Sequence, residues 1–311
     1  MLQAQAVNMR IGLDLGGTKI EAIVLDASGG ERYRTRVATP AHDYDALLGA
    51  LCTLVGDAES RLGIHASVGI GTPGALSRAT GLIKNSNTAC LNGRALDRDL
   101  GRLLARPIRI ANDANCFALS EAIDGAGQGA DVVFGAILGT GCGGGVVVAR
   151  RALVGVNAIA GEWGHNPLPW PTDSERPGPA CYCGRSGCIE TFVSGTGLCR
   201  DYQEHSGLSA SGAQIAAAAA SGEPYALAAL ERYCDRLARG LGSVINLLDP
   251  DVIVLGGGAS KLEAIYTQVP VLLPKYVFSD RVDTRLCRAT HGDASGVRGA
   301  AWLWSDSESA R

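Results

Sequence analysis

The chain has 311 residues, 46% of them hydrophobic and 19% charged, and 42 are glycine, about twice the usual share of roughly 7%. Length and balance predict a globular protein of two domains or one large α/β unit, with many tight backbone turns around ligands. A net charge of −3 without a Lys/Arg-rich run gives no basic field for nucleic acid, and no continuous apolar stretch is long enough for a membrane span.

Residues 1–8, MLQAQAVN, carry neither the basic start nor the apolar run of a secretory signal. A cytoplasmic protein is expected, with Met9 as a candidate start and the preceding residues as an extension. In that compartment clustered cysteines bind metal more often than they form disulfides. Cys52, Cys90, Cys116, Cys142, Cys199, Cys234 and Cys287 are scattered through apolar segments and read as reduced core or helix residues.

Residues 10–38 predict a meander of three strands, RIGLDL, KIEAIVLD and ERYRTRVAT, separated by GGT and DASGG turns. A helix is predicted over 43–62, a strand over 67–74, a second helix near 95–105 and a strand over 107–112. The segment DANCFALSEAIDGAG predicts a helix capped by Asp113 and closed by Gly125 or Gly127. From 132 the pattern restarts: VVFGAIL, a GTGCGGG turn and VVVARRALVG echo residues 10–38 and predict a duplicated α/β architecture. PWPTDSERPGPA at 169–180 predicts a long loop. Residues 224–248 predict a helix whose buried face carries Leu227, Leu230, Tyr233, Leu237, Leu241, Val244 and Leu248. The apolar strand DVIVL and the run GGGASK follow.

DLGGTK at 14–19 lacks both the GxGxxG and the GxxxxGK[ST] spacing, and a strand follows it rather than a helix. Gly16 and Gly17 can still aim backbone N–H groups at phosphate oxygens, with Thr18 adding a hydroxyl and Lys19 a charge. Asp14, closing an apolar strand, needs a positive partner, and Mg²⁺ on a nucleotide is one. A plain hairpin turn with a solvated aspartate is the competing reading. Gly139, Thr140 and Gly141, within GTGCGGG, repeat the chemistry and predict the other half of a triphosphate clamp. Gly256, Gly257 and Gly258 offer a third close approach, suited to adenosine at the C-terminal edge of a sheet.

Asn112 and Asp113 stand at a strand-to-helix junction, where both residue types serve as helix caps. A carboxylate there can also accept the proton of an attacking hydroxyl, because phosphoryl transfer needs little more than positioning, one oriented base and Mg²⁺. Cys181, Cys183 and Cys188, with His165 ahead of them, supply three thiolates and one imidazole, the set of a closed tetrahedral structural zinc site. A reduced cysteine-rich loop is the alternative; a redox pair fits less well, since the spacing is not CxxC. Glu162 and His165 share a face if they lie in a helical turn. If a metal ties this segment to the one carrying Glu190, the two carboxylates, Glu162 and Glu190, would grip vicinal sugar hydroxyls; otherwise both glutamates are ordinary surface acids.

DLGGTK, GTPG, NDAN, GTGCGGG, GEWGH, CYCGRSGCIE and DPDVIVLGGG, in that order over almost the whole chain, resemble the ROK sugar kinases. Within them GEWGHNPLPW, CYCGRSGCIETF and HGDASGVRGAAWLW are similar to bacterial fructokinases of the manno(fructo)kinase type. The resemblance implies an α/β, actin-like (ribonuclease H-like) two-domain fold with ATP and sugar in an interdomain cleft. It implies one domain of residues 9–112 plus 294–311 and another of 113–293, and a homodimer. By position, Asp113 matches the catalytic base. Gly74, Asn87, Asn112, Asp113, Glu162, His165 and Glu190 match sugar contacts, and His165, Cys181, Cys183 and Cys188 match zinc ligands. Residues 12–19 and 139–145 match the two phosphate loops. The implied activity is ATP- and Mg²⁺-dependent phosphorylation of the 6-hydroxyl of a hexose, fructose first, with mannose and glucose as secondary acceptors. An N-acetylhexosamine kinase and a non-catalytic sugar sensor are the alternatives. Repressors of the family carry a helix-turn-helix domain ahead of the fold, for which the residues before the first phosphate loop leave no room.

Overall fold

The computed structural model describes residues 9–305, so the expected extension at 1–8 lies outside the described residues. The chain divides into two compact units: residues 1–128, 150–160 and 293–311, and residues 129–149 with 161–292. The first unit opens with the predicted meander, β1 (Arg10–Leu15), β2 (Lys19–Leu25) and β3 (Glu31–Ala38). Helix α1 (Tyr44–Leu62), strand β4 (Ser67–Thr72), the short hairpin β5 (Ala75–Leu76) and β6 (Ile83–Lys84), helix α2 (Leu96–Leu103), strand β7 (Ile108–Asn112) and helix α3 (Asp113–Asp124) follow. The sheet order is β3-β2-β1-β4-β7, with β4 and β7 parallel to β1. Ile11, Leu13 and Leu15 are fully buried, as are Leu47, Leu51 and Val55, which recur every fourth position of α1 and form one helical face.

The second unit begins with β8 (Val132–Leu138) and β9 (Cys142–Val148), an antiparallel pair. The short strand β10 (Arg151–Ala152) falls in the 150–160 segment of the first unit. The second unit continues with helices α4 (Ile189–Val193), α5 (Gly195–Ser206), α6 (Gly212–Ala220) and α7 (Pro224–Leu248), strand β11 (Val252–Gly256), helix α8 (Glu263–Leu272) and strand β12 (Arg285–Arg288). Here β11 lies parallel to β8 and β12 parallel to β11. An antiparallel hairpin followed by two parallel strands therefore recurs in both units, which is the duplication expected from the sequence. The final helix, α9 (Ser295–Ala301), belongs to the first unit.

Several expectations shift. The run Cys142–Gly145 is strand rather than turn, leaving only Gly139–Gly141 to make the bend. The cap of α3 is Asn112, whose Oδ1 accepts the Ala114 N–H at 2.9 Å, while Asp113 is the first helical residue. Leu227 is 43% exposed, because the buried face of α7 runs instead through Ala226, Leu230, Tyr233, Leu237 and Leu241. Residues 113–128 group with the first unit rather than the second. The cause is α9, which packs so closely on α3 that a Cβ at Gly299 would stand 1.7 Å from the Cys116 carbonyl oxygen. The loop at 169–180 contains a helical turn, Asp173–Glu175, boxed by Thr172 and Glu175. It is tied to α7: Arg236 Nε and Arg239 Nη2 donate to Glu175 Oε1 at 2.8 and 2.7 Å, and Arg236 Nη1 donates to Asp201 at 2.7 Å. These arginines hold the Glu175 carboxyl down at about 2 against the effect of its burial.

Candidate active site and metal-binding cluster

In the first unit the turn after β1 is tight: the Gly16 N–H donates to the Lys19 carbonyl at 3.0 Å. Thr39, just past β3, clips it from the side, its hydroxyl donating to the Gly16 carbonyl at 2.7 Å and its N–H to the Thr18 carbonyl at 3.0 Å. Gly17, Thr18 and Lys19 are left exposed. Asp14, at the end of β1, pairs in register with Glu21. Burial, reinforced by the charges of Asp113 and Glu21, pushes its carboxyl up to about 6, with Lys19 pulling the other way. A buried carboxyl among acids is the setting expected of a site that receives a cation.

Asn112, Asp113 and Gly74 are brought together. Asn112 caps α3 with its oxygen and donates through Nδ2 to the Gly74 carbonyl at 2.9 Å. Gly74 has φ +82°, and a Cβ there would meet the Lys84 carbonyl oxygen at 2.3 Å, so glycine is required. Asp113 shares the Ala114 N–H, accepting it at 2.8 Å. Solvent reaches this residue, yet crowding protein atoms desolvate its carboxyl and push it above the usual range. Hydrogen bonds from the Ala114 N–H, its own N–H and Asn112 oppose the rise. Asn87 is exposed, on a loop fastened by Ser86 and Asn92, whose side chain bonds both the N–H and the carbonyl of Ser86.

In the second unit the Gly139 N–H closes the β8–β9 turn on the Gly141 carbonyl at 3.0 Å. The third glycine run lies against it, since a Cβ at Gly257 would stand 2.6 Å from the Leu138 carbonyl. Two of the glycine segments read as phosphate-binding thus touch through their backbones. Glu162 lies in irregular chain and His165 in a turn, not together in a helix. The fixed points of this segment are Trp163, whose Nε1 donates to the Gly143 carbonyl at 3.0 Å, and Gly164, whose carbonyl accepts the Glu190 N–H at 2.9 Å. The Glu190 carboxylate accepts the Cys142 N–H at 2.8 Å. Glu162 is exposed and Glu190 half-buried.

His165, Cys181, Cys183 and Cys188 offer ligand atoms that all lie within 4.8 Å of one another. Cys181 Sγ is 3.6 Å from His165 Nδ1, and Cys183 Sγ is 3.6 Å from Cys188 Sγ. Tetrahedral zinc with Zn–S near 2.3 Å separates its ligand atoms by about 3.5–3.8 Å, so the donor set fits. Left-handed Gly184 and Gly187 fold the loop back on itself, and the Cys181 N–H reaches the Arg185 carbonyl at 2.8 Å. The Arg185 N–H draws the Cys183 thiol down to about 7, while burial holds Cys188 up at about 12. His165 turns its other nitrogen outward, Nε2 lying 2.9 Å from the Tyr182 hydroxyl. One ring can therefore serve a metal through Nδ1 and a second partner through Nε2.

Sequence reading missed the contacts made by the Cys142 amide, Gly195, Thr196 and Tyr182. Main-chain donors leave no residue-type signal, and SGT at 194–196 reads only as a helix start. A cavity of about 360 Å³ in the second unit, with Glu175, Asp201, Arg232 and Arg236 in its wall, is lined by none of the site residues. Among the described residues no helix is long and apolar enough to cross a membrane.

The chain is similar to known proteins over nearly its full length. N-acetyl-D-glucosamine kinase from Salmonella gallinarum is 42% identical over 299 residues, 95% of this chain and 99% of that protein. The crystal structure of a ROK hexokinase from Thermus thermophilus has 32% identity and a TM-score of 0.84, covering 95% of this chain and 97% of that one. A ROK family glucokinase from Streptomyces griseus, solved with glucose and AMPPNP, has 28% identity and a TM-score of 0.74, covering 95% and 98%. None of these three relatives is described as a fructokinase, so they show the family named in the resemblance and not the fructokinase type. The family description ROK matches residues 10–307, and with this coverage and identity the chain belongs to the ROK family and has its two-sheet α/β sugar-kinase fold.

Proposed function

We propose that the protein transfers the γ-phosphoryl group of ATP to the 6-hydroxyl of an N-acetylhexosamine, N-acetyl-D-glucosamine foremost. The observation carrying this reading is the 42% identity, over 99% of its length, to an N-acetyl-D-glucosamine kinase. It displaces fructose as the preferred acceptor, because the motifs that suggest a fructokinase are shared by both kinds of kinase.

In this reading Asp113 accepts the proton of the acceptor hydroxyl while that oxygen bonds to the γ-phosphorus and the bond to ADP breaks. Its raised carboxyl range suits a base that works near neutral pH. Asn112 and Gly74 hold Asp113 and the acceptor side of the first unit. The turns at Gly16–Lys19, Gly139–Gly141 and Gly256–Gly258 take the nucleotide, the Gly16 and Gly139 N–H groups closing their own turns, and Asp14 would place Mg²⁺, which neutralises phosphate charge. Glu162, the outward nitrogen of His165 and the Glu190 carboxylate receive sugar hydroxyls, with Asn87 as a further contact. Zinc held by His165, Cys181, Cys183 and Cys188 would tie the 162–165 turn to the start of α4, a structural role for a closed shell.

The test is ADP release from Mg²⁺-ATP with N-acetylglucosamine, N-acetylmannosamine, fructose, mannose and glucose side by side. Preference for an acetylated sugar supports the proposal. Preference for fructose overturns the acceptor, and no turnover with any of them overturns the kinase reading.

A further inference from the structure

Glu190 and the turn at 139–142 are bound to each other from both ends of α4. At the near end, Glu190 Oε2 accepts the Cys142 N–H at 2.8 Å, and a Cβ at Gly141 would stand 2.6 Å from the same oxygen. The carboxylate rests directly on the turn, and a side chain at 141 would have to displace it. At the far end, the Gly195 N–H donates to the Gly139 carbonyl at 2.8 Å and the Thr196 hydroxyl to the Thr140 carbonyl at 3.0 Å. Residues 139, 140 and 142 are thus each bonded to the segment 190–196. The Glu190 N–H is anchored in turn to the Gly164 carbonyl at 2.9 Å, beside His165.

We propose that Glu190 and Thr196 couple the two ligands energetically: an acceptor sugar held by Glu190 sets the phosphate turn, and Thr196 is a positioning residue for that turn. This rests on the kinase reading above. A carboxylate has two oxygens, and Oε2 is already engaged by the turn. A sugar hydroxyl donating to Oε1 fixes the carboxylate plane, and with it the Cys142 amide. Thr140 and Thr196 are exposed, so water competes for their bond, and it is the most easily lost of the restraints on the turn. Ordering the turn once, for the first ligand, lowers the cost for the second. Linkage makes the effect reciprocal: nucleotide must tighten sugar by the same factor.

The experiment is calorimetric titration of full-length protein with Mg²⁺-ADP, with and without saturating N-acetylglucosamine, and the reverse titration, in wild type, Thr196→Val and Thr196→Ser. The expected result is that sugar tightens ADP about fivefold in wild type. Thr196→Val should bring the factor near one while sugar alone binds with unchanged affinity, and Thr196→Ser should restore it. An equal factor in Thr196→Val and wild type overturns the proposal, as does a wild-type factor of one with both ligands bound; the kinase reading survives either result. Failure of wild type to bind either ligand overturns the kinase reading along with it.

Discussion

The turn at Gly16–Lys19 and the turn at Gly139–Gly141 each join the antiparallel strands that start a sheet, yet different parts of the chain restrain them. The first is clipped by Thr39, which follows the neighbouring strand β3, so the meander holds its own turn. The second is held by Glu190, Gly195 and Thr196, about fifty residues away in sequence and carried on elements that follow the cysteine loop. Duplication copied the strands and not the restraints. One turn is preset by its own hairpin, while the other answers to the segment proposed to bind the acceptor.

Four substitutions probe that division, in descending size of effect. Asp113→Asn keeps the fold and both binding affinities but removes a positioned base, and kcat should fall by about 10²–10⁴-fold; turnover near wild type would remove Asp113 from the base role. Cys183→Ser opens the metal cluster that anchors the start of α4. Metal content by elemental analysis should drop from about one zinc per chain, and stability by about 3 kcal/mol or more. Sugar affinity should weaken more than nucleotide affinity; unchanged melting and sugar binding would make the cluster irrelevant to the pocket.

Asp14→Asn acts on the preset side. An unfolded chain titrates this carboxyl near 3.8, and the folded protein keeps the proton until about 6. Between those values the native state binds more protons, so the stability this group contributes is lost as pH rises through that window and stays lost at neutral pH. The variant should flatten that slope in ligand-free melting curves and raise stability at pH 7 by on the order of 2 kcal/mol, while weakening Mg²⁺-ATP. An unaltered pH dependence would contradict the burial argument. Thr39→Val is the smallest change and the sharpest contrast with Thr196→Val. Loss of one hydrogen bond, roughly 1 kcal/mol, should weaken ADP a few-fold to the same extent with and without sugar. A change in that ratio would mean that both turns sense the acceptor.

What the sequence disclosed follows the range of the interactions involved. Strand, glycine turn and strand are local patterns, and both meanders were legible from them, as was α7 from its periodicity. The gathering of His165, Cys181, Cys183 and Cys188 was legible because three cysteines and a histidine are rare, chemically distinctive residues. The cap of α3 slipped by one residue because Asn112 and Asp113 are equally good caps, and the choice fell to a bond between Asn112 and Gly74, distant in sequence. The boundary between units failed for a longer-range reason, the seating of α9 on α3. Acceptor identity was not legible: the motifs quoted for a fructokinase do not separate it from an N-acetylhexosamine kinase.

The seating of α9 has a further consequence in time. Gly12 of β1 lies so close to the Val297 carbonyl that an added Cβ would stand 2.1 Å away, so this strand is covered by a helix that is synthesised long after it. At about 5–20 residues per second, that delay is on the order of half a minute. Over that interval β1 must wait with one face bare, whereas residues 161–292 form an unbroken run of the second unit and can assemble before α9 emerges. The unit that carries the proposed base is therefore closed only after the intervening segments of the second unit have been made.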